Sequence, residues 1–246
     1  MERREYQRLA ELDRRLWWFR GLHAQMLTAL ARPAWRWNGM HLLDAGCGTG
    51  GLLATLAERL PDSCPMGLEL DPEAAAVARA ASGRPVAVGT VNAVPFASAS
   101  FAAILSSDVL CHRGVDQDAA VGHFHRCLVP GGLLVLNLPA YRWLFSGHDI
   151  AVDNVRRYGA GEVKRLLRAA GFIRIRTRYW NTLLFPLMVL KRKLFASKRG
   201  AVSDVAPVPA PLDFIFRAAV LLEAGIAALG LRLPFGGSLL AIAVKP

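Results

Sequence analysis

The stretch "HLLDAGCGTGG", His41 to Gly51, sets an apolar run ahead of an aspartate and then four glycines within six residues. Glycine that dense forfeits backbone entropy and side-chain packing, so the chain must need a tight turn there. An apolar strand, a glycine-rich turn and a helix in succession form a cofactor cradle in doubly wound folds, with the ligand outside the carboxyl ends of the strands. The glycines admit the ligand to the backbone, and the helix N-terminus offers free N–H groups. Gly46, Gly48 and Gly51 satisfy G-x-G-x-x-G, and Glu69 follows about twenty residues on, the place of a carboxylate that binds ribose hydroxyls. Taken alone, the glycine match suggests a nicotinamide dinucleotide and an oxidoreductase.

Outward from the turn, strands and helices alternate. "MHLLDAG" reads as a first strand, "GLLATLAERL" as a helix stopped by Pro61, and "PMGLELD" as a second strand. "PEAAAVARAA" is a helix with proline at its first position. "PVAVGTV", "FAAILSSDVL" and "GLLVLNLP" read as strands three to five, "AGEVKRLLRAAG" as a helix closed by Gly171, and "FIRIRTRYW" as strand six, alternating strictly. This order predicts an α/β, Rossmann-like, doubly wound sheet. Upstream, residues 3–32 carry leucines at helical spacing and end at Pro33, a helical cap over residues 1–37 ahead of a main domain over 38–246.

Several pieces in order identify more than a nucleotide fold. "LLDAGCGTG" closely resembles motif I of the class I S-adenosylmethionine-dependent methyltransferases. "GLELDP", "VPFASASFAAIL" and "CLVPGGLLVLNLP" follow in that family's order, and "LWWFRG" with "LPAYRWLFSGHDIAVDNVRRYGAGEV" matches a bacterial subgroup of it. The resemblance covers about residues 40–178 and the last strand. It implies seven strands with an antiparallel last one, and S-adenosyl-L-methionine as the cofactor. It also implies roles for individual residues. Asp44 and the backbone of Gly46, Cys47, Gly48 and Gly50 hold the methionine end. Glu69 accepts from the ribose hydroxyls, and Leu70 lies against adenine. Val91 and Asn92 pass the adenine edge, and Ser106 or Ser107 ends strand four near the methionine moiety. Trp18 and Arg20 belong to an N-terminal helix that family members use as a lid. The sequence departs from the family at Thr90, where an acidic residue is frequent, at Ala102 and at Asn154.

Methyl transfer needs an aligned nucleophile and sometimes a base, so catalytic residues can be few. His112 after strand four and His148 after strand five stand at the ligand edge of the sheet, and histidine suits a base near neutral pH. Asp149 orients His148 or binds substrate. Arg156 and Arg157 in "VRRYG" either bind a phosphate or carboxylate or pair internally to fix their loop. No metal site is expected: His123 and His125, two apart on a helix, do not share a face.

Residues 181–237, between strands six and seven, far exceed an ordinary loop. "LLFPLMVL" runs into "KRKLFASKR", a proline-rich loop follows, and "LDFIFRAAVLLEAGIAALGL" is an apolar helix interrupted by Arg217 and Glu223. Apolar residues beside lysine and arginine suit an interfacial helix on anionic lipid. Covering a greasy substrate pocket, adding a packing layer and forming a homodimer interface are the alternatives.

The chain has 246 residues, 53% hydrophobic, 20% charged, with a formal net charge of +11. That apolar content excludes a disordered chain. The positive charge suits an anionic membrane, an acidic substrate or nucleic acid. The basic residues are dispersed, so nucleic acid ranks lowest. "MERREYQRLAELDRRL" has no apolar core of a secretory signal, and the four cysteines are widely spaced, which together predict a cytoplasmic chain with reduced thiols, peripheral at the inner membrane face. The function expected is methyl transfer to oxygen or carbon of a hydrophobic small molecule or lipid-linked acceptor. The rivals are the oxidoreductase and a cofactor-binding membrane protein without turnover.

Overall fold

β1 (His41–Ala45), β2 (Cys64–Glu69), β3 (Val86–Val88), β4 (Phe101–Ser107), β5 (Leu128–Pro139), β6 (Ile173–Trp180) and β7 (Ser238–Val244) form one sheet in the order β3-β2-β1-β4-β5-β7-β6. The computed structural model describes residue 13 and residues 16–31, 37–195 and 208–246. β1 pairs in parallel with β2 and β4, and β7 lies antiparallel between β5 and β6. Strand order reverses beside β1, which puts the ligand crevice at its carboxyl end, at the glycine turn.

The helices are α1 (Trp17–Leu30), α2 (Gly51–Arg59), α3 (Pro72–Ser82), α4 (Gln117–Cys127), α5 (Gly147–Ala151), α6 (Ala160–Ala169), α7 (Phe185–Phe195) and α8 (Ala210–Ala228). Their ends follow local chemistry. Asp71 caps α3 by accepting from the N–H groups of Glu73 and Ala74, and Gly83 closes it at φ +65°. Asp116 caps α4 in the same way.

Alternation along the strands separates two cores. Leu134, Leu136 and Leu138 of β5 join Val121 and Phe124 of α4 and Val163 and Leu167 of α6 on one face. Leu133 and Val135 join Leu22, Met26 and Leu30 of α1 and Leu52 and Leu56 of α2 on the other. α8 lies across α1. Gly21 makes that approach possible, because a Cβ there would stand 2.7 Å from Val220 Cβ. β6 is an edge strand, and its exposed Arg174 and Arg176 discourage pairing with another sheet.

Three expectations shift. β3 is only three residues long, and Val91 and Asn92 sit in a 3₁₀ turn after it, capped by Thr90 Oγ1 on the Asn92 N–H. β4 stops at Ser107, because Asp108 adopts φ +53° and turns the chain out of the sheet. β5 begins at Leu128, four residues before the expected start. Residues 181–237 do intervene between β6 and β7, and α7 and α8 lie within them. The start of the cap helix, Pro33 and most of the proline-rich loop lie outside the described residues. Among the described residues, no helix is long and apolar enough to cross a membrane.

Candidate active site

The three glycines of the turn answer different needs. Gly46 has φ +82°, and a Cβ there would meet Val109 Cγ2 at 2.3 Å. Gly50 has φ +87°, and a Cβ would meet the Ala78 backbone of α3 at 2.8 Å. Those two are demanded by packing. Gly48, at φ +54°, has nothing within 4 Å of its would-be Cβ, so its bare face is turned to open space where a ligand can touch main chain.

That space belongs to a cavity of about 530 Å³, within the range of small-molecule sites. The cavity takes in Asp44, Gly46, Cys47, Gly48, Ser107, His112, His148 and, from α1, Trp18. Eight others of the expected set, Arg20, Gly50, Glu69, Leu70, Val91, Asn92, Ser106 and Asp149, do not line it. Glu69 stands one hydrogen bond away: its Oε2 accepts from the Gly48 N–H at 2.8 Å and its Oε1 from the Asp71 N–H at 3.0 Å. Leu70, beyond it, is 68% exposed, a large apolar side chain without a cover. Val91 is buried in the core. Asn92 donates to Gly114 O at 2.8 Å and accepts from the Asp116 N–H at 3.0 Å, tying two turns together. Arg20 is exposed. Of the two serines, Ser107 faces the cavity, whereas Ser106 is buried and donates to Ala45 O.

Asp149 is fully buried. Its Oδ1 accepts from Arg157 Nε at 2.9 Å and its Oδ2 from the Ser146 N–H at 2.9 Å, which caps α5, the helix that carries His148. Arg156 donates to Val115 O. Arg157 lines the cavity with Nε on Asp149 and Nη1 on Ala140 O.

Two acids that sequence reasoning missed also line the cavity. Asp108, at the tip of β4, accepts from Asn137 Nδ2 at 3.0 Å, and Asn137 in turn accepts from Trp180 Nε1 at 2.8 Å. Burial pushes its carboxyl up to about 7, against the pull of its bonds to Asn137 and Ser107. A non-glycine residue at positive φ on a ligand edge is the strain expected of a functional position. Asp13 sits on the N-terminus of α2, accepting from the Gly51 N–H at 3.1 Å. Burial pushes it up to about 6 and lowers His23, 3.6 Å away, to about 4. Both shifts come from desolvation, so at neutral pH the pair is a carboxylate beside a neutral imidazole. A lone aspartate in a charged N-terminal segment carries no sequence signal.

Asp44 is the most strained charge in the site. Its Oδ2 is buried without a hydrogen-bond partner. Burial, then the charges of Asp13 and Glu69, raises its carboxyl from 3.8 to about 8. The folded protein therefore holds a proton that the unfolded chain would release, and the contribution of Asp44 to stability is greatest below about pH 4 and falls as pH climbs to about 8. Asp44→Asn is expected to melt higher than the parent above about pH 8 and level with it below about pH 4. Thermal melts across pH check this, and a pH-independent difference overturns it.

A buried Asp44 carboxyl that an arriving cation would ionise, a bare glycine backbone and the Glu69 carboxylate at the end of β2 fit the end of S-adenosylmethionine that carries its amine and sulfonium. The comparisons agree with this reading. Residues 43–136 match the family described as "Methyltransferase domain". The chain is 32% identical over 141 residues to malonyl-[acyl-carrier protein] O-methyltransferase of Dechloromonas aromatica, covering 55% of this chain and 52% of that one. It is 33% identical over 113 residues to 24-methylenesterol C-methyltransferase 2 of Oryza sativa, covering 43% and 30%. The chain thus spans about half or less of the curated relatives it matches. Among solved structures, an S-adenosylmethionine-dependent methyltransferase of Thermotoga maritima superposes with a TM-score of 0.62 at 19% identity, covering 99% of this chain and 95% of that one. The oxidoreductase reading of the glycine turn falls with these matches. Residues 43–136, which span β1 to most of β5, match the methyltransferase-domain family, and the sheet order is that of the class I S-adenosylmethionine-dependent methyltransferase fold.

Proposed function

We propose that the protein transfers a methyl group from S-adenosylmethionine to oxygen or carbon of a hydrophobic small molecule or lipid-linked acceptor. The observation that carries this is the cavity: it starts at Gly48 and Asp44 and continues under apolar side chains of α1 and the insertion, including Trp17, Leu184, Met188 and Phe216. A relative named for a malonyl-acyl-carrier-protein acceptor and one named for a sterol support an acceptor of this kind.

When bound, the cofactor supplies an electrophilic sulfonium methyl. Asp44 and the main chain of Gly46, Cys47 and Gly48 hold its methionine end, Glu69 its ribose and Leu70 its adenine, with Ser107 beside the methionine moiety. Gly50 supports that turn, and Val91 and Asn92 shape the adenine side. Trp18 closes the cavity from α1, with Arg20 at its outer surface, and so excludes water. His148, His112 and Asp108 face the cavity as candidate proton acceptors. Asp149 positions His148 by capping α5. His148→Ala is expected to cut turnover by about 10²–10⁴-fold, the usual worth of a positioned base, with cofactor affinity retained. Wild-type rates would remove His148 and leave Asp108→Asn as the next variant to assay.

The direct test incubates the protein with methyl-labelled S-adenosylmethionine and a cell extract. Label in the organic-solvent fraction is expected, and label that stays wholly with water-soluble products sinks the proposal.

The insertion also supports peripheral membrane contact. Leu187, Leu190, Phe214, Ile215 and Leu222 are each more than half exposed, and isolated apolar side chains do not usually cluster so on a monomer's surface. A homodimer would cover the same faces. Sedimentation with anionic vesicles separates the two: binding that is lost in Phe214→Ser/Ile215→Ser is expected, and an intact protein that stays in the supernatant rejects the membrane reading.

A further inference from the structure

Asn181 follows β6 directly and lines the cavity together with Pro139, Leu184, Met188 and Gly237. In the sheet order β4, β5 and β7 stand between its strand and β1, which carries the glycine turn. Asn181 is 4% exposed, at φ +59°. Its Oδ1 is buried and has no hydrogen-bond partner among the described residues. Everything around that oxygen is fixed. Trp180, just before it, donates from Nε1 to Asn137 Oδ1 at 2.8 Å, and the Thr182 N–H, just after it, donates to Glu223 at 3.0 Å. The Gly237 N–H donates to Asn181 O at 3.3 Å, and a Cβ on Gly237 would stand 3.3 Å from Asn181 Nδ2 and 2.9 Å from Met188 Cε. The donors nearby are committed elsewhere: Gly237 N–H as above, Met188 N–H to Leu184 O, Leu183 N–H to Glu223 and the Thr182 hydroxyl to Phe235 O. A donor for Oδ1 therefore has to arrive through the cavity. A buried oxygen left unpaired is costly, and one set in place beforehand discriminates strongly against a ligand that cannot donate to it.

We propose that Asn181 is a specificity-determining residue whose carboxamide oxygen accepts a hydrogen bond from a hydroxyl of the methyl acceptor, an apolar alcohol or phenol whose hydrocarbon part lies along Leu184, Leu187, Met188 and Phe216. This rests on the methyl-transfer reading for the identity of the ligand as methyl acceptor, though not for the binding itself. Asparagine is one of the few side chains that tolerate a positive φ. That tolerance accounts for the residue type at this turn, and it leaves the unpaired oxygen unexplained. The site would prefer an alcohol to an ether of the same size.

The test compares 1-octanol with its isomer methyl heptyl ether, which has the same atoms and no O–H donor. Each is titrated, below its solubility limit, into the full chain saturated with S-adenosylhomocysteine and followed through tryptophan fluorescence, since Trp17 and Trp18 stand in the cavity wall. The alcohol is expected to bind at least about fivefold tighter, the worth of one neutral hydrogen bond. Asn181→Gly removes the carboxamide and suits φ +59° without strain, so the variant should fold, which a melt verifies. In it the two ligands are expected to bind about equally. Equal binding by the wild type, no binding of octanol, or tighter binding of the ether overturns the assignment, and these outcomes need no variant. A preference unchanged in Asn181→Gly overturns it too, and leaves asparagine there for its backbone conformation alone. Calorimetry with S-adenosylmethionine keeps the two proposals apart: preference for the alcohol without cofactor binding defeats methyl transfer and spares the role of Asn181, and the reverse defeats only that role.

Discussion

Glu69→Ala is expected to weaken S-adenosylmethionine binding by roughly two orders of magnitude, or ~3 kcal/mol. The carboxylate does two things at once. It accepts the Gly48 N–H at 2.8 Å and the Asp71 N–H at 3.0 Å, which fixes the bare glycine relative to the end of β2. In the proposed site its remaining lone pairs would take the ribose hydroxyls. Removing it therefore deletes the ribose contact and loosens the backbone that meets the methionine end. Glu69→Gln keeps one acceptor oxygen and should fall between the parent and alanine. Isothermal titration of both variants checks this, beside melts that show them folded. Unchanged affinity in Glu69→Ala would detach the ribose from β2 and with it the assignment of this strand tip.

The second large effect concerns Glu223. It is 1% exposed, in the middle of α8, and its two oxygens accept the N–H groups of Thr182 and Leu183 at 3.0 and 2.8 Å. Those donors precede α7, so one carboxylate ties both helices of the insertion to the end of β6. Glu223→Ala leaves the buried Thr182 N–H and the partly buried Leu183 N–H without acceptors, a loss of ~1–3 kcal/mol for a fully buried donor. The expected loss of ~3 kcal/mol lowers the melting temperature by about 6–12 °C for a chain of this size. Limited proteolysis should then cut within 181–237 before the sheet. Glu223→Gln, with one oxygen left to accept, should recover part of the loss. A melting temperature unchanged in Glu223→Ala would show that the helices are held by apolar contact alone.

The parts of this molecule that the sequence discloses are those governed by local rules. The glycine turn, the proline and glycine helix ends and the buried runs of β1, β4 and β5 each depend on residues a few positions apart. The departures come from interactions between distant segments. Asp108 leaves the β4 ladder because Asn137 of β5 and Ser107 hold its carboxylate. Glu223 reads as a charge that spoils an apolar span, and only the fold shows it to be the clasp on residues 182–183. Lys191 and Arg192 read as surface charge, and the turn of α7 carries them to the cavity. Asp149 reads as a partner of the adjacent His148, whereas burial commits it to Arg157 and the α5 cap. Gly50 belongs to the motif but is required by the backbone of α3, so a motif match does not by itself mark ligand contact.

The sheet places β7 between β5 and β6, yet β7 is made after both, and after the insertion. While a ribosome is still extending the chain through α7 and α8, β5 and β6 have each lost the neighbour that will later join them. The edges of β5 and β6 that β7 will pair then stand open for the time needed to translate the intervening segment, an aggregation hazard that local helix formation cannot relieve. Closing that gap requires pairing across a long separation, which is slow. Synthesis paused before Ser238 should thus yield a chaperone-bound or protease-sensitive species, and its rescue on release would date the completion of the sheet to the arrival of its latest strand.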